Sequence, residues 1–320
     1  MRPVALASQA AGAGRAGTKR PANSIDTGRW AKPPVELAMH GLFLLCGLLA
    51  VAAVLFMTVY MVASGGPVIA KVGPGAFLFG RTWDPEKMRF GILPMILASL
   101  AATFGAILIA LPTGILAAVF LAKLAPPRVA AVLRALVDLL AGIPSVVYGL
   151  LGALLIMPLI FRLQTALGLP TRGSLLAAIL LLVIMILPTI ISVSETAIRS
   201  VPAPYEDAAL ALGSTRLQSI FKVIVPAARS GIAAGTVLGT GRAIGEAMAV
   251  IMVAGNAAIL PELLKPVRLL TASIPLEWAY SGGLHRDALY GIGLTLFVFI
   301  MIINIVLNRM LKKGGVSLDS

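Results

Sequence analysis

A single cysteine, Cys46, and two histidines, His40 and His285, supply the only thiol and imidazole groups in this chain of 320 residues. One thiol closes no intrachain disulfide, and two imidazoles so far apart make no metal site. Charge is scarce too: Asp, Glu, Lys and Arg make up 12% of the sequence, against about 25% in an ordinary soluble domain. That excludes a water-soluble globular protein. Acids are the scarcer sign, 13 against 26 Lys and Arg, but aromatics are only 6% and are not interleaved with the basic residues, which excludes a nucleic-acid surface. A nucleotide-binding loop is absent as well. Gly12, Gly17, Thr18 and Lys19 lack the Gly-Lys-Ser/Thr order, with a strand before it and a helix after it, that cradles phosphates.

What the chain has is apolar sequence, 59% of the total. Six segments, about 37–64, 92–122, 139–161, 174–195, 231–254 and 288–308, are each long enough to cross a bilayer as a helix of roughly 20 residues. The expected fold is an all-α polytopic membrane protein with one permease-sized domain over 36–313. Pro112 with Gly114, Pro144, Pro158 and Pro188 are expected to kink their helices. Residues 1–35 are basic and rich in Ala, Gly, Ser and Pro, so they read as a disordered tail; 314–320 is a short second tail. The first apolar run is longer than the roughly 7–15 residues of a secretory signal. Sixteen Lys and Arg flank the spans on the side of the two termini, among them Lys123, Arg134, Arg199, Arg216 and Lys312. The opposite loops hold nine, such as Lys71, Arg89 and Arg268. By the positive-inside rule both termini are cytoplasmic.

Two segments stand out chemically. The loop 204–226 opens with Glu206, Asp207, Ala208 and Ala209, turns at Gly213 and closes on Pro226, with Leu217, Ile220, Phe221 and Ile224 spaced along one helix face. A helix, glycine turn, helix element with an apolar stripe is a docking surface. In the fifth span Arg242 sits near the bilayer midplane, where a charge costs at least about 2.5–3.5 kcal/mol. Glu246, four residues on, is expected on the same helix face. A self-neutralising pair beside a glycine-rich helix contact is one reading. An anion site is the other, since guanidinium matches phosphate oxygens with two parallel hydrogen bonds, whereas Arg before Glu is the poorer order for a helix pair. Ser145, Tyr148, Ser192 and Ser194 are candidates for a polar path, and Glu195 for a solvated or gate contact. Trp83, Trp278 and Tyr280 fit interface anchoring.

The loop 204–226 resembles the EAA loop of ABC-importer permeases, with Asp207 where those usually carry Glu and Val223 and Val225 for Ile and Leu. Further stretches, Leu139-Leu140-Ala141-Gly142-Ile143-Pro144-Ser145-Val146-Val147-Tyr148-Gly149, Gly241-Arg242-Ala243-Ile244-Gly245-Glu246, Gly255-Asn256 and Gly283-Leu284-His285, are similar to phosphate ABC-transporter permeases of the PstC type over roughly residues 75–305. The resemblance implies a type I importer permease of MetI-like architecture in the bacterial inner membrane. The chain would form half of an ATP-driven phosphate pathway without being an enzyme itself. A PstA-like sister permease, two ATPase subunits and a periplasmic phosphate-binding protein are implied as partners, and no cofactor. It also implies that Glu206, Asp207, Ala208, Ala209, Gly213 and Pro226 couple to the ATPase, and that Arg242, Glu246, Ser145 and Tyr148 line the pathway. Another oxyanion (sulfate, molybdate, phosphonate) or an ion-coupled secondary transporter stays open as an alternative.

Overall fold

The computed structural model describes residues 34–313, so most of the expected tail 1–35, and all of 314–320, lies outside the described residues. By its contacts the chain divides into Met1–Leu55 and Phe56–Ser320. The described part of the first unit is helical and belongs to α1 (Pro34–Val72), which runs past the expected end at 64 and contains Pro67. Its side chains from Ala38 to Phe56 are exposed, as suits an apolar helix facing lipid.

Among its described residues the second unit is mainly helical, with one small hairpin and an irregular stretch over 252–269. After α2 (Pro74–Phe79) the strands β1 (Trp83–Asp84) and β2 (Arg89–Phe90) pair antiparallel, Trp83 opposite Phe90. Lys87 donates its N–H to Asp84 and pairs with it at 3.0 Å across the turn; those bonds hold the Asp84 carboxyl below the usual range. Then α3 (Leu93–Val119) contains Pro112 and ends in a π-helical turn, Phe120–Leu124.

The third crossing departs from the expected 139–161. Residues Pro127–Gly142 form a separate helix α4, and Ser145–Leu151 begins α5, which continues through a π-turn, Gly152–Ile156, into α6 (Met157–Ala166). Ile143 between them is extended because the following Pro144 disfavours helical backbone before it. The freed carbonyl of Leu140 accepts the Tyr148 hydroxyl at 2.6 Å, so the break is satisfied inside the protein.

α7 (Leu175–Arg199) is the central helix, with Ser174 capping its N-terminus by accepting from Ala177. Its free N–H groups are met by the backbone of a later loop: Ser174, Leu175 and Leu176 donate to Val253, Lys265 and Leu263. α8 (Ala203–Ala211), α9 (Arg216–Ser219) with a π-turn Ile220–Ile224, and α10 (Val225–Ala227) make the loop, which joins α11 (Arg229–Gly245) at a 68° bend. Among the described residues five helices are long and apolar enough to cross a membrane, or six if the bent pair is one span.

The fifth crossing is not the continuous helix expected over 231–254. α11 stops at Gly245, Glu246 is extended, and a short helix α12 (Met248–Ile251) follows. Two contacts fix this break. Thr271 donates to the Glu246 carbonyl at 2.7 Å, and the Glu246 carboxylate accepts from the Ala249 N–H at 3.0 Å. Beyond come α13 (Leu270–Glu277), a 3-10 turn Trp278–Tyr280 and α14 (Gly283–Lys313). The last helix starts earlier than the expected 288.

α7 packs between α3 and α11. Along α11 the contact surface is glycine: a Cβ added at Gly231 would stand 2.2 Å from Ala197, and at Gly239 2.9 Å from Ile190. Backbones approach this closely only where one partner has no side chain.

Candidate translocation site and coupling loop

Arg242 lies in the last turn of α11, and Thr189 of α7 is its only hydrogen-bond partner among the described residues, at 3.5 Å. Thr189 is about 21 Å along α7 from its N-terminal end at 1.5 Å per residue, near the middle of this 25-residue helix. The expected Arg242–Glu246 pair on one helix face does not form. With the helix ended at Gly245, Glu246 leaves that face and spends one carboxylate oxygen on the start of α12. Arg242 makes no ion pair within 4.0 Å among the described residues. Leu238, Gly241 and Gly245, which share its side of α11, are exposed, so no other described part of the chain covers this face.

The two broken crossings meet near this face. α5 packs on α12, where a Cβ on Gly149 would stand 2.9 Å from Ala249 and 2.7 Å from the Met252 sulfur. Tyr148 is buried with its proton committed to Leu140, while Ser145 at the start of α5 is half-buried with no hydrogen-bond partner among the described residues. Ser194, expected on a polar path, is fully buried against α11, near Gly235.

The coupling loop has the expected shape. Gly213 ends the first helix with φ +84, a left-handed turn that suits glycine, and Thr215 with Gln218 forms a reciprocal cap on α9. The apolar stripe, however, divides. Ile220 and Ile224 are fully buried with Ala118, Val119, Ile198 and Ile232, while Leu217 and Phe221 are exposed. Glu206 points inward, pairing with Lys123 at 2.7 Å, and Arg216 donates to the Lys123 carbonyl at 2.8 Å. Asp207, Ala208, Gly213 and Pro226 remain exposed and Ala209 is buried. Beside them a mainly apolar hollow of about 670 Å³, lined by Tyr205, Ala208, Leu212 and Val223 among others, opens outward.

At the opposite end a buried carboxylate was missed in the sequence. Glu277 accepts from the Trp83 indole at 2.9 Å and from Arg268, and lies 2.8 Å from His285 Nε2. Arg268 also donates to the Asn256 carbonyl. Trp83 is therefore a strut between the hairpin and α13 as well as an aromatic near the rim. Gln164, fully buried, likewise ties Arg172 and Leu264 together. Four separate segments meet at Glu277, so only a polar residue of each, and no local spacing, signals it.

The family described as binding-protein-dependent transport system inner membrane component matches residues 110–313, a stretch that includes Arg242, both breaks and the whole coupling loop. The chain belongs to that family. Among relatives of this permease, an ABC transporter permease protein of Bacillus subtilis, YqgH, is 38% identical over 82% of this chain and 88% of its own. The phosphate transport system permease proteins PstC of Pasteurella multocida and Haemophilus influenzae are 34% and 33% identical, over 75% and 85% of this chain and 82% and 90% of theirs. The fold is that of solved ABC transporters: a chain of the MetNI methionine transporter superposes with TM-score 0.52 at 19% identity over 73% of this chain and 99% of that one. A bacterial transporter that imports the acidic polysaccharide alginate gives 0.54 at 16% identity, over 83% and 96%. This permease is therefore a multi-pass inner-membrane component that works with a binding protein and ATPase subunits.

Proposed function

We propose that the chain is the PstC-like permease of an ATP-driven phosphate importer, lining half of the pathway with Arg242 as its anion contact. The observation that carries this is an arginine near the middle of the membrane-crossing helices with no ion pair among the described residues, on an exposed helix face beside two broken crossings. Intramembrane cations without a counter-ion mark ion paths, and the PstC relatives supply the anion. A single Arg binds a dianion weakly, so a PstA-like sister permease contributes further groups from across the pathway. Ser145 adds a donor on the same path. Of the two ATPase subunits of the complex, one docks on the loop 204–226, with Leu212, Leu217 and Phe221 as the apolar contacts, and both termini are cytoplasmic.

Glu246 is the discriminating group. Hydrogen phosphate at neutral pH can donate a proton to the carboxylate oxygen that α12 leaves free, whereas sulfate cannot. The test is uptake by the complete transporter in vesicles. Arg242→Ala is expected to abolish phosphate uptake with the complex still assembled, and normal uptake would return Arg242 to a packing role. Glu246→Gln, which keeps an oxygen for the Ala249 N–H, is expected to relax rejection of sulfate; unaltered selectivity would remove Glu246 from the filter.

A further inference from the structure

Two to three turns beyond Thr189, toward the C-terminal end of α7, lies a second basic cluster that neither the loop 204–226 nor the Arg242 site uses. Glu195, 4% exposed, receives Arg134 of α4 at 2.5 Å and Arg199 at 2.8 Å. Both arginines donate through Nε, and both to the same carboxylate oxygen. Arg199 uses one terminal nitrogen on the Leu121 carbonyl at 3.1 Å, while the terminal nitrogens of Arg134 have no hydrogen-bond partner among the described residues. Most of the donor capacity of two guanidinium groups is therefore unspent. The cluster opens into a cleft of about 380 Å³ lined also by Asp138, Ser192 and Thr196. Thr189, Ser192, Thr196 and Arg199 follow one another at three- and four-residue steps, so they form a single stripe along α7 that begins at the Arg242 contact and ends in the cleft.

We propose that this cleft is a cytoplasmic exit station for the transported anion, in which Arg134 and Arg199 take the anion handed down from Arg242 and Glu195 displaces it. This rests on the phosphate reading above. The charges decide its character: two cations face Glu195 and Asp138, so the empty cleft is neutral and holds a dianion only while Glu195 yields its two bonds. A site that fills by exchange with an internal carboxylate binds weakly and releases readily, which is what the last station before the cytosol requires. A bare salt bridge fastening α4 to α7 would instead use both oxygens and the forked ends of the arginines.

The test uses the complete transporter in vesicles, with ATP and with inorganic phosphate preloaded at the cytoplasmic face. The reading is the preloaded concentration that halves the initial rate of phosphate uptake. Glu195→Gln removes the competing charge and is expected to lower that concentration about tenfold, the size of one charge-assisted hydrogen bond. Arg134→Gln is expected to raise it by a similar factor. A tether alone would shift both variants in the same direction or not at all, and either result overturns the exit station. If Glu195→Gln does not assemble, the Arg134→Gln shift decides by itself. Failure of the unaltered transporter to take up phosphate overturns the phosphate reading and phosphate as occupant together, whereas normal uptake with unshifted inhibition removes the exit station alone.

Discussion

Arg242 illustrates how a charge is tolerated where lipid should exclude it. Its cost at the membrane centre is at least about 2.5–3.5 kcal/mol. The carbonyl end of α11, where it sits, returns about 0.3–1 kcal/mol, up to roughly 2 in buried geometry. The remainder falls to water or to a bound anion at the uncovered face. Because the same carbonyls repel an anion, the proposed site would attract without trapping. At Gly213 the argument is conformational: nothing stands within 4 Å of an added Cβ, so the only obstacle to a side chain is φ +84. That costs about 1–2 kcal/mol, more for a β-branched residue. Gly213→Val is expected to leave the chain in the membrane while ATP hydrolysis loses its coupling to uptake, read as the ratio of the two rates. The Asp84 carboxyl, held low by Lys87, contributes to its turn above the ordinary carboxylate pKa, about 3.9. It loses that contribution only as pH falls further, so hairpin exposure, followed by hydrogen exchange, should be flat from pH 5 to 8.

At the scale of elements, hydropathy located the crossings formed by α3, α7 and α14 but could not see the interruptions. An apolar stretch reads the same whether it forms one helix or two, and one of the two contacts that hold the break after α11 comes from Thr271, far along the chain. The local signal was there in Gly231, Gly235, Gly239, Gly241 and Gly245, which make a poor helix, the first three also making the contact surface against α7. Gly213 was legible because turn chemistry is local, whereas the inward turn of Glu206 was not, since its partner Lys123 is on another element. The glycine surface carries its own prediction. Gly239→Leu forces a side chain onto Ile190 and should separate α11 from α7, seen as loss of intact complex on detergent extraction. Gly241→Ala, with nothing within 4 Å, should be neutral in the same assay.

For the whole molecule the proposed orientation can be read chemically, because Cys46 is the sole cysteine and Cys46→Ser leaves a thiol-free background. Leu212→Cys, at a position 89% exposed, should react with a membrane-impermeant maleimide only from the cytoplasmic face. Glu86→Cys, in the hairpin turn, should react only from the outside. The reverse pattern would invert the proposed topology. The family was written in short motifs within the chain, but the outer knot at Glu277 and the cleft at Glu195 were not, because each gathers residues from elements distant in sequence.

The fastening of the coupling loop has a mechanical consequence. Glu206 and Arg216 grip the end of α3 at Lys123, and Ile220 and Ile224 are wedged among α3, α7 and α11. A load applied by a partner at Leu212 or Phe221 therefore meets no slack joint. Under the proposed docking, the knuckle and the ends of three crossings would move as one lever and carry the stroke of the ATPase to the mouth of the pathway. Lys123→Met removes one bolt of that lever. It should lengthen the lag between ATP binding and anion release in a single-turnover experiment while leaving ATP affinity unchanged.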